Sequence, residues 1–565
     1  MASSRLKYSS VEGTADLFSP EFTEYLTALH DKFTQRIYEL RSKRAAVLKI
    51  ALEQRVLPQI PKSKINTESW QVLTVPDELR KPGIEISGPA SVTPMFINAL
   101  NPGSDGTQAE GYLDDDEDSA GYQLADTIKA AQNRLGAVNR TLTYFSPDKA
   151  KLYKITYGEL PFFMHRERGL SVDEPEVTID AKPIPACILS TAFTLFFAGR
   201  AQAERGQGIY FYLPKLESAE ETLFWRDFFD FSLDKLPFLK LATIRAIILI
   251  ESLPAAYQME EMLYALGPYA AGLNAARWDF KASILEFVMT DPDSVWPDRF
   301  GIDIKSTEFL ANIFKRLVAV CLKHGAVPIG GMATALPSKN AEVNRIAGES
   351  IRTDKIWEAK QGFIRGWVAH VFHMKTAAAP FKELYSSGWQ PSPEMKIPEN
   401  FPIQLKVPEG KITLEGTRRN ARMLLEYIEG WLNGRGAKGI DSLAGRPGVH
   451  PALMEDLATA RISVAQIAQR LRHAAEDSVT GQVHDSKLIK RLLKEELDDI
   501  LLRLKNPENI SYAMSETPEK AEENYRKSYK IALYWIKNYL DLDFRSLGSY
   551  THSQLDNITS QEDAF

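Results

Sequence analysis

Hydrophobic positions recur every three or four residues near the start of the chain. In SPEFTEYLTALHDKFTQRIYELRSKRAAVLKIALE, residues Leu26, Leu29, Phe33, Ile37 and Leu40 share one face, the spacing of an amphipathic helix. Ser19 stands at the cap position, with Glu21 and Glu24 in or near the first turn, where acids meet the positive end of the helix dipole. From residue 84 the period changes. Short apolar runs follow one another: MFINALN (95–101), LPFFMHR (160–166), GIYFYLPK (208–215), IRAIILIE (244–251), YAAGLN (269–274) and AVPIGGM (326–332). Amphipathic segments such as SAEETLFWRDFFDFSL and STEFLANIFKRLVAVCLKHG lie between several of them. Unbroken aliphatic runs suit strands buried on both faces. Their alternation with helices predicts a parallel sheet wrapped by helices, and the number of units favours a closed α/β barrel. No glycine fingerprint for a dinucleotide follows the runs, which argues against a nucleotide-binding open sheet.

Three segments complete the outline. Residues 101–120, NPGSDGTQAEGYLDDDEDSA, are turn-rich and acidic and read as a solvated loop. Residues 376–410 carry many prolines and read as a surface connection. After residue 415, four segments (TRRNARMLLEYIEGWLNG, LMEDLATARISVAQIAQRLRHAA, DSKLIKRLLKEELDDILLRLK and PEKAEENYRKSYKIALYWIKNYLD) return to helical spacing. The expected plan is an N-terminal helical clasp (1–83), a (β/α)8 TIM barrel (84–375), a connection (376–414) and a C-terminal all-helical plug (415–565).

Composition narrows the function classes. Apolar residues make up 44% and charged ones 25%, the balance of a globular domain with a large core. Mixed signs and a net charge of −6 give no basic footprint for nucleic acid. Two cysteines, Cys187 and Cys321, exclude a disulfide framework and a cysteine zinc site. No apolar run approaches the roughly 18 residues of a membrane span. The opening MASSRLKYSS lacks a secretory apolar centre. A cytoplasmic location is the default; a peroxisomal one stays open, although QEDAF is not a Ser-Lys-Leu-type end.

The strand ends carry the chemistry. Glu251 follows Ile247–Ile250 directly, and Asp279 follows YAAGLN within AARWDF. In an α/β barrel the C-terminal ends of the strands share one mouth. Two carboxylates there suit Mg²⁺, which takes one or two protein carboxylates and completes its octahedron with water and substrate oxygens. The bland alternative is that Glu251 caps the next helix or pairs with a lysine. Arg166 and Arg168 in HRERG and Lys215 in YLPK occupy similar places; they fit either structural ion pairs or the binding of an anion.

Four strings, ILIESLPAAYQMEEML, AGLNAARWDF, GGMATALPSK and LMEDLATARIS, come in the order of the malate synthase family. With IEISGPASVTPMFINALN before them, nearly the whole chain resembles the shorter isoform of plants, fungi and bacteria. The resemblance implies an acyltransferase that condenses acetyl-CoA with glyoxylate and hydrolyses the malyl thioester. It implies Mg²⁺ as cofactor, with acyl-CoA and a 2-oxoacid as small-molecule partners. By position, Glu251 and Asp279 match the magnesium carboxylates, Arg166 the arginine that meets the enolate oxygen, and Asp456 in LMEDLATA the general base. Gly272, Leu273, Asn274, Arg277 and Trp278 match the substrate-binding strand end, with backbone N–H groups around 277–279 on the 2-oxoacid carboxylate. Without the resemblance, Asp456 reads as the polar first turn of a helix.

Departures from the family pattern gather around the same strings. Gly267, Pro268 and Tyr269 replace Arg-Asp-His; Ala276 replaces glycine, Phe280 tyrosine, and after Arg168 and Gly169, where an aromatic or leucine and then histidine are usual, Leu170 and Ser171 follow. Phe363, Ile364 and Arg365 replace polar or small residues, and Val371 replaces proline. Arg461 stands where glutamate is usual, and a cation there is expected to lower the basicity of Asp456. These changes leave open a diverged enzyme with another acyl donor or 2-oxoacid, a thioester hydrolase, or a non-catalytic barrel scaffold.

Overall fold

Odd and even residues of the run Ile244–Ile250 serve two different cores. Ile247 and Leu249 join a cluster with Leu113, Met164, Tyr212 and Trp367 inside a ring of strands. Ala246, Ile248 and Ile250 join the larger core between the strands and the surrounding helices. Both faces are buried, so the strand reads as unbroken aliphatic. The computed structural model describes residues 5–147, 149–156, 158–441, 450–505 and 517–560. The chain end QEDAF, on which the expectation about a peroxisomal signal rests, lies outside them.

Eight parallel strands close the ring in chain order: β1 (Gly83–Pro89), β2 (Gly111–Asp115), β3 (Phe162–Arg166), β4 (Ile209–Leu213), β5 (Ile244–Ile250), β6 (Ala270–Ala275), β7 (Val327–Ala333) and β8 (Arg365–Val368). The fold is a (β/α)8 barrel. Three strands escape the apolar-run reading because their inward positions are charged. Glu85 of β1 accepts from Arg365 of β8 at 2.9 Å and from the Tyr212 hydroxyl at 2.7 Å, all fully buried. β2 is the segment expected to be a solvated acidic loop. Instead Asp114, Asp115, Asp116, Glu117 and Asp118 are all buried. They are tolerated because cations meet them: Arg134 lies 2.6 Å from Asp114 and 2.9 Å from Asp116. Conversely, MFINALN is not a strand. Thr93–Leu100 is a helix with Pro94 in its first turn, burying Phe96, Ile97 and Leu100, and a run this short carries no period that separates the two.

The helices used below are α1 (Pro20–Gln54), α2 (Ala219–Lys235), α3 (Arg277–Phe287), α4 (Ala341–Gln361), α5 (Leu414–Leu432), α6 (Leu457–Arg472) and α7 (Pro518–Leu540). Ser19 caps α1 by accepting from the Phe22 N–H at 3.2 Å, and the helix ends where Arg55 turns left-handed at φ 55°. Its apolar face packs Phe33 against Phe224 of α2. The stretch expected to be a connection contains a helix, Met374–Ser386, and two short 3-10 turns. α5, α6 and α7 pack on one another, and α6 also packs on α3 of the barrel. Among the described residues no helix is long and apolar enough to cross a membrane.

Candidate active site

The alternation inside the barrel explains why aliphatic strands end on charges. Residue 251 is in phase with the inward residues 247 and 249, and residue 166 with the inward Phe162 and Met164. Each is the first residue of its inward row to reach the mouth. Asp115 ends β2 in the same phase as Leu113, and the β2–β3 register sets it opposite Arg166. The Arg166 guanidinium grips Asp115 with two bonds of 2.7 and 2.6 Å, reaches Asp118 at 3.2 Å and lies over the Trp367 ring.

Asp118, Glu251 and Asp279 bring one carboxylate oxygen each within 4.8 Å of one another, and all three are buried. Glu251 does not cap the next helix; Ser252 does, accepting from Ala255. Glu251 instead accepts from the Lys215 backbone N–H, presented by a left-handed residue at φ 51°. The Lys215 ammonium lies 2.5 Å from Asp279 and 2.9 Å from Asp118. Arg461 of α6 takes the other Asp279 oxygen at 2.6 Å and Glu286 at 2.8 Å. Glu286 also accepts from the Tyr539 hydroxyl of α7 at 2.8 Å. Arg461 was expected to act on Asp456; its contacts are Asp279 and Glu286 because α6 lies along α3.

Protonation follows from this crowding. Burial pushes Glu251 up to about 8; Lys215 opposes this, and the charges of Asp279 and Asp118 add to it. Burial also raises Asp118. For Asp279, burial is outweighed by Lys215 and Arg461, which hold it below the usual carboxylate range. Asp115 is likewise held low by Arg166 and Ser119 against burial.

Asp456 is the N-cap of α6. Its Oδ1 accepts from the Thr459 N–H at 3.2 Å, and the Thr459 hydroxyl closes a capping box, so the bland reading of this residue holds. Capping uses one oxygen only; Oδ2 has no hydrogen bond among the described residues. Burial, then the charges of Asp118 and Asp279, raise the Asp456 proton affinity well above a normal aspartate, with Arg166 opposing. An acid of the helical cap thus lies near enough to the barrel carboxylates Asp118 and Asp279 to feel their charge. Tyr427 of α5, buried with its hydroxyl unpaired, feels Asp456 and Asp118 as well.

The remaining candidates divide. α3 starts at the mouth with no side-chain cap at Ala276, so its first N–H groups, from 277 to 279, are free for an anion. Arg277 leaves the metal group and pairs with Asp354 at 3.0 Å and with Glu358. With Trp278 it lines a cavity of about 490 Å³ that runs past Met332 and Leu453. Gly272 lies in register with the inward Ile247, deep in the barrel, while Leu273 lies in register with the outward Ile248. A Cβ on Gly272 would sit 2.1 Å from the Val327 carbonyl oxygen, and Leu273 packs in the outer core. Asn274 donates to the Gly330 carbonyl at 3.0 Å. Arg168 is structural, bound to Glu174 at 2.9 Å and to Thr127 at 2.8 Å.

Several departures prove remote from the mouth. Tyr269 precedes β6 at the foot of the barrel and donates to Asp230 at 2.6 Å. Arg365 opens β8 at the same end, bound to Glu85 and to the carbonyls of Leu79 and Lys81. Sequence reading missed Asp118 as a member of the carboxylate trio, and Tyr427. Neither carried a signal of its own: Asp118 stands in the acidic run read as a solvated loop, and Tyr427 in an ordinary helical segment.

Comparison with known proteins agrees with this arrangement. The family description "Malate synthase, TIM barrel domain" matches residues 162–395, and "Malate synthase, C-terminal" matches 411–535. Malate synthase A of Escherichia coli is 32% identical over 87% of this chain and 89% of its own length. Malate synthase of Streptomyces clavuligerus is 35% identical over 79% of this chain and 81% of its own. The glyoxysomal malate synthase of Candida tropicalis is 32% identical over 85% of each. The chain belongs to the malate synthase family, acyltransferases that condense acetyl-CoA with glyoxylate.

Proposed function

We propose that this chain condenses acetyl-CoA with glyoxylate to give malate and CoA, using Mg²⁺ held by Glu251, Asp279 and Asp118. The observation that carries the reading is that buried trio, with the half-free carboxylate of Asp456 near enough to feel the charges of Asp118 and Asp279. The donor set fits the ion: all-oxygen, anionic and close-set, as a hard divalent cation requires. It also fits by charge. Lys215 and Arg461 pair with Asp118, Asp279 and Glu286, and Glu251 accepts only from the Lys215 backbone N–H among the described residues, which leaves negative charge for a cation to meet. Bound there, magnesium supplies Lewis-acid polarisation of the 2-oxoacid carbonyl.

The residues of the chain account for the rest. The free N–H groups at the start of α3 hold the acceptor carboxylate, where the helix dipole favours an anion. The donor enters along the cavity past Trp278 and Leu453, three residues before Asp456. Asp456 takes a proton from the thioester methyl; its raised proton affinity is the right direction for a base facing a weak carbon acid. Arg166, held in a fixed fork by Asp115, donates to the enolate oxygen as charge builds there. The enolate carbon then attacks the aldehyde carbon, and water cleaves the thioester to release CoA.

The test is thiol release from acetyl-CoA with glyoxylate and Mg²⁺. Release that needs both substrates and stops with chelator supports the condensation. Release from acetyl-CoA alone would mark a hydrolase, and no release with either would leave the reading without support.

A further inference from the structure

The cavity lined by Arg277 and Trp278 holds a cation that, among the described residues, has no carboxylate partner. Lys281, on the second turn of α3, is only 3% exposed and lines the 490 Å³ space with Trp278, Phe300 and Met332. Its ammonium donates to the Ile302 carbonyl at 3.0 Å and lies 5.0 Å from the Trp278 ring centroid. Among the described residues no carboxylate comes within 4.0 Å of it. The two acids on the cavity wall are engaged elsewhere, Asp354 with Arg277 at 3.0 Å and Asp303 with Lys305 at 3.5 Å. Two more arginines, which have no carboxylate partner among the described residues, lie over Phe300, Arg299 at 4.0 Å and Arg419 at 3.7 Å from the ring centroid. One Arg299 nitrogen, Nη2, is buried without a partner.

A buried ammonium with one hydrogen bond is costly, because desolvation of a charge is repaid only by pairing. The cavity is the one along which the proposed mechanism brings in the donor. We propose that this cavity receives an oxyanion carried by the acyl donor, a carboxylate on its acyl chain or a phosphate of its nucleotide, with the Lys281 ammonium as its charge partner. The proposal rests on the acyl-thioester reading of the site. It makes Lys281 a specificity-determining residue, since a site built to pair an anion rejects the analogue that lacks it.

Binding calorimetry on the full chain tests this independently of turnover. The probes are an alkyl thioether and a carboxyalkyl thioether of CoA, and the same two thioethers of pantetheine, which lacks the phosphates. The variants are Lys281→Met and Lys281→Gln, the second keeping a donor for the Ile302 carbonyl; circular dichroism checks that each is folded. If the partner is an acyl carboxylate, both variants weaken the carboxyalkyl probes at least tenfold and spare the alkyl ones. If it is a phosphate, both CoA probes weaken and both pantetheine probes do not. Unchanged affinity for all four probes in folded Lys281→Gln would overturn the proposal, whether or not acetyl-CoA and glyoxylate prove to be substrates.

Discussion

At the scale of single residues, the site depends on which atoms remain free after structural duties are met. Asp456 spends Oδ1 on its own helix and keeps Oδ2. Arg166 spends its fork on Asp115 and so faces the cavity in one orientation. Lysine cannot reproduce that grip, because an ammonium has no planar pair of donors. Arg166→Lys is therefore expected to lower kcat about 10²–10³-fold, the range for loss of an oxyanion donor, with Mg²⁺ affinity unchanged by calorimetry. A loss of metal binding instead would place Arg166 in the wrong role. Glu251, Asp279 and Asp456 could be named as candidates because a short string around each keeps the family order, and Arg166 because it ends an apolar run in HRERG. Asp118 was hidden by its neighbours: five acids in a row, Asp114 to Asp118, look like a water-facing run unless the arginines that bury them, Arg134 and Arg166, are already placed.

At the scale of elements, legibility followed the inward rows of the barrel. β5 was readable because both of its faces are aliphatic. β1, β2 and β8 were not, because Glu85, Asp115 and Arg365 stand in those rows and find partners on other strands of the ring. The Glu85–Arg365 pair at the barrel foot is fully buried, so removing one partner strands a charge. Arg365→Met is expected to cost about 3–5 kcal/mol, read as a lower denaturation midpoint. The double change Glu85→Met with Arg365→Met should recover most of it, since an apolar pair of similar volume is often neutral. A double variant no better than the single one would show that Arg365 acts through the Leu79 and Lys81 carbonyls alone. The departures from family pattern at Tyr269 and Arg365 belong to this foot, far along the chain direction from the mouth, and so bear on packing. Distance along the sequence from a site string gave no way to see that; strand direction does.

At the scale of the whole molecule, the helical cap and the barrel meet at charged groups. α6 delivers Arg461 to Asp279 and Glu286, and α7 delivers Tyr539 to Glu286. Their union buries more negative charge than positive, which ties stability to proton and metal together. Glu251 is raised from an ordinary 4.5 to about 8. Between those values the folded chain holds a proton that the unfolded chain has lost. Its contribution to stability therefore falls as pH rises through that window. Mg²⁺ competes for the same oxygens, so its affinity rises over the same range. Thermal unfolding should show a larger upward shift of Tm by Mg²⁺ at pH 8 than at pH 6. Equal shifts would mean that Glu251 does not exchange its proton for the metal.

The proposed condensation requires Asp456 to act on the donor methyl rather than merely to cap α6. The most direct measurement is the rate of malate formation by Asp456→Asn at saturating Mg²⁺, acetyl-CoA and glyoxylate. Asparagine keeps the cap, so the fold and the metal site persist while the base is lost. The expected result is a rate lower by about 10²–10⁴-fold. A rate equal to that of the unaltered chain would contradict the assignment.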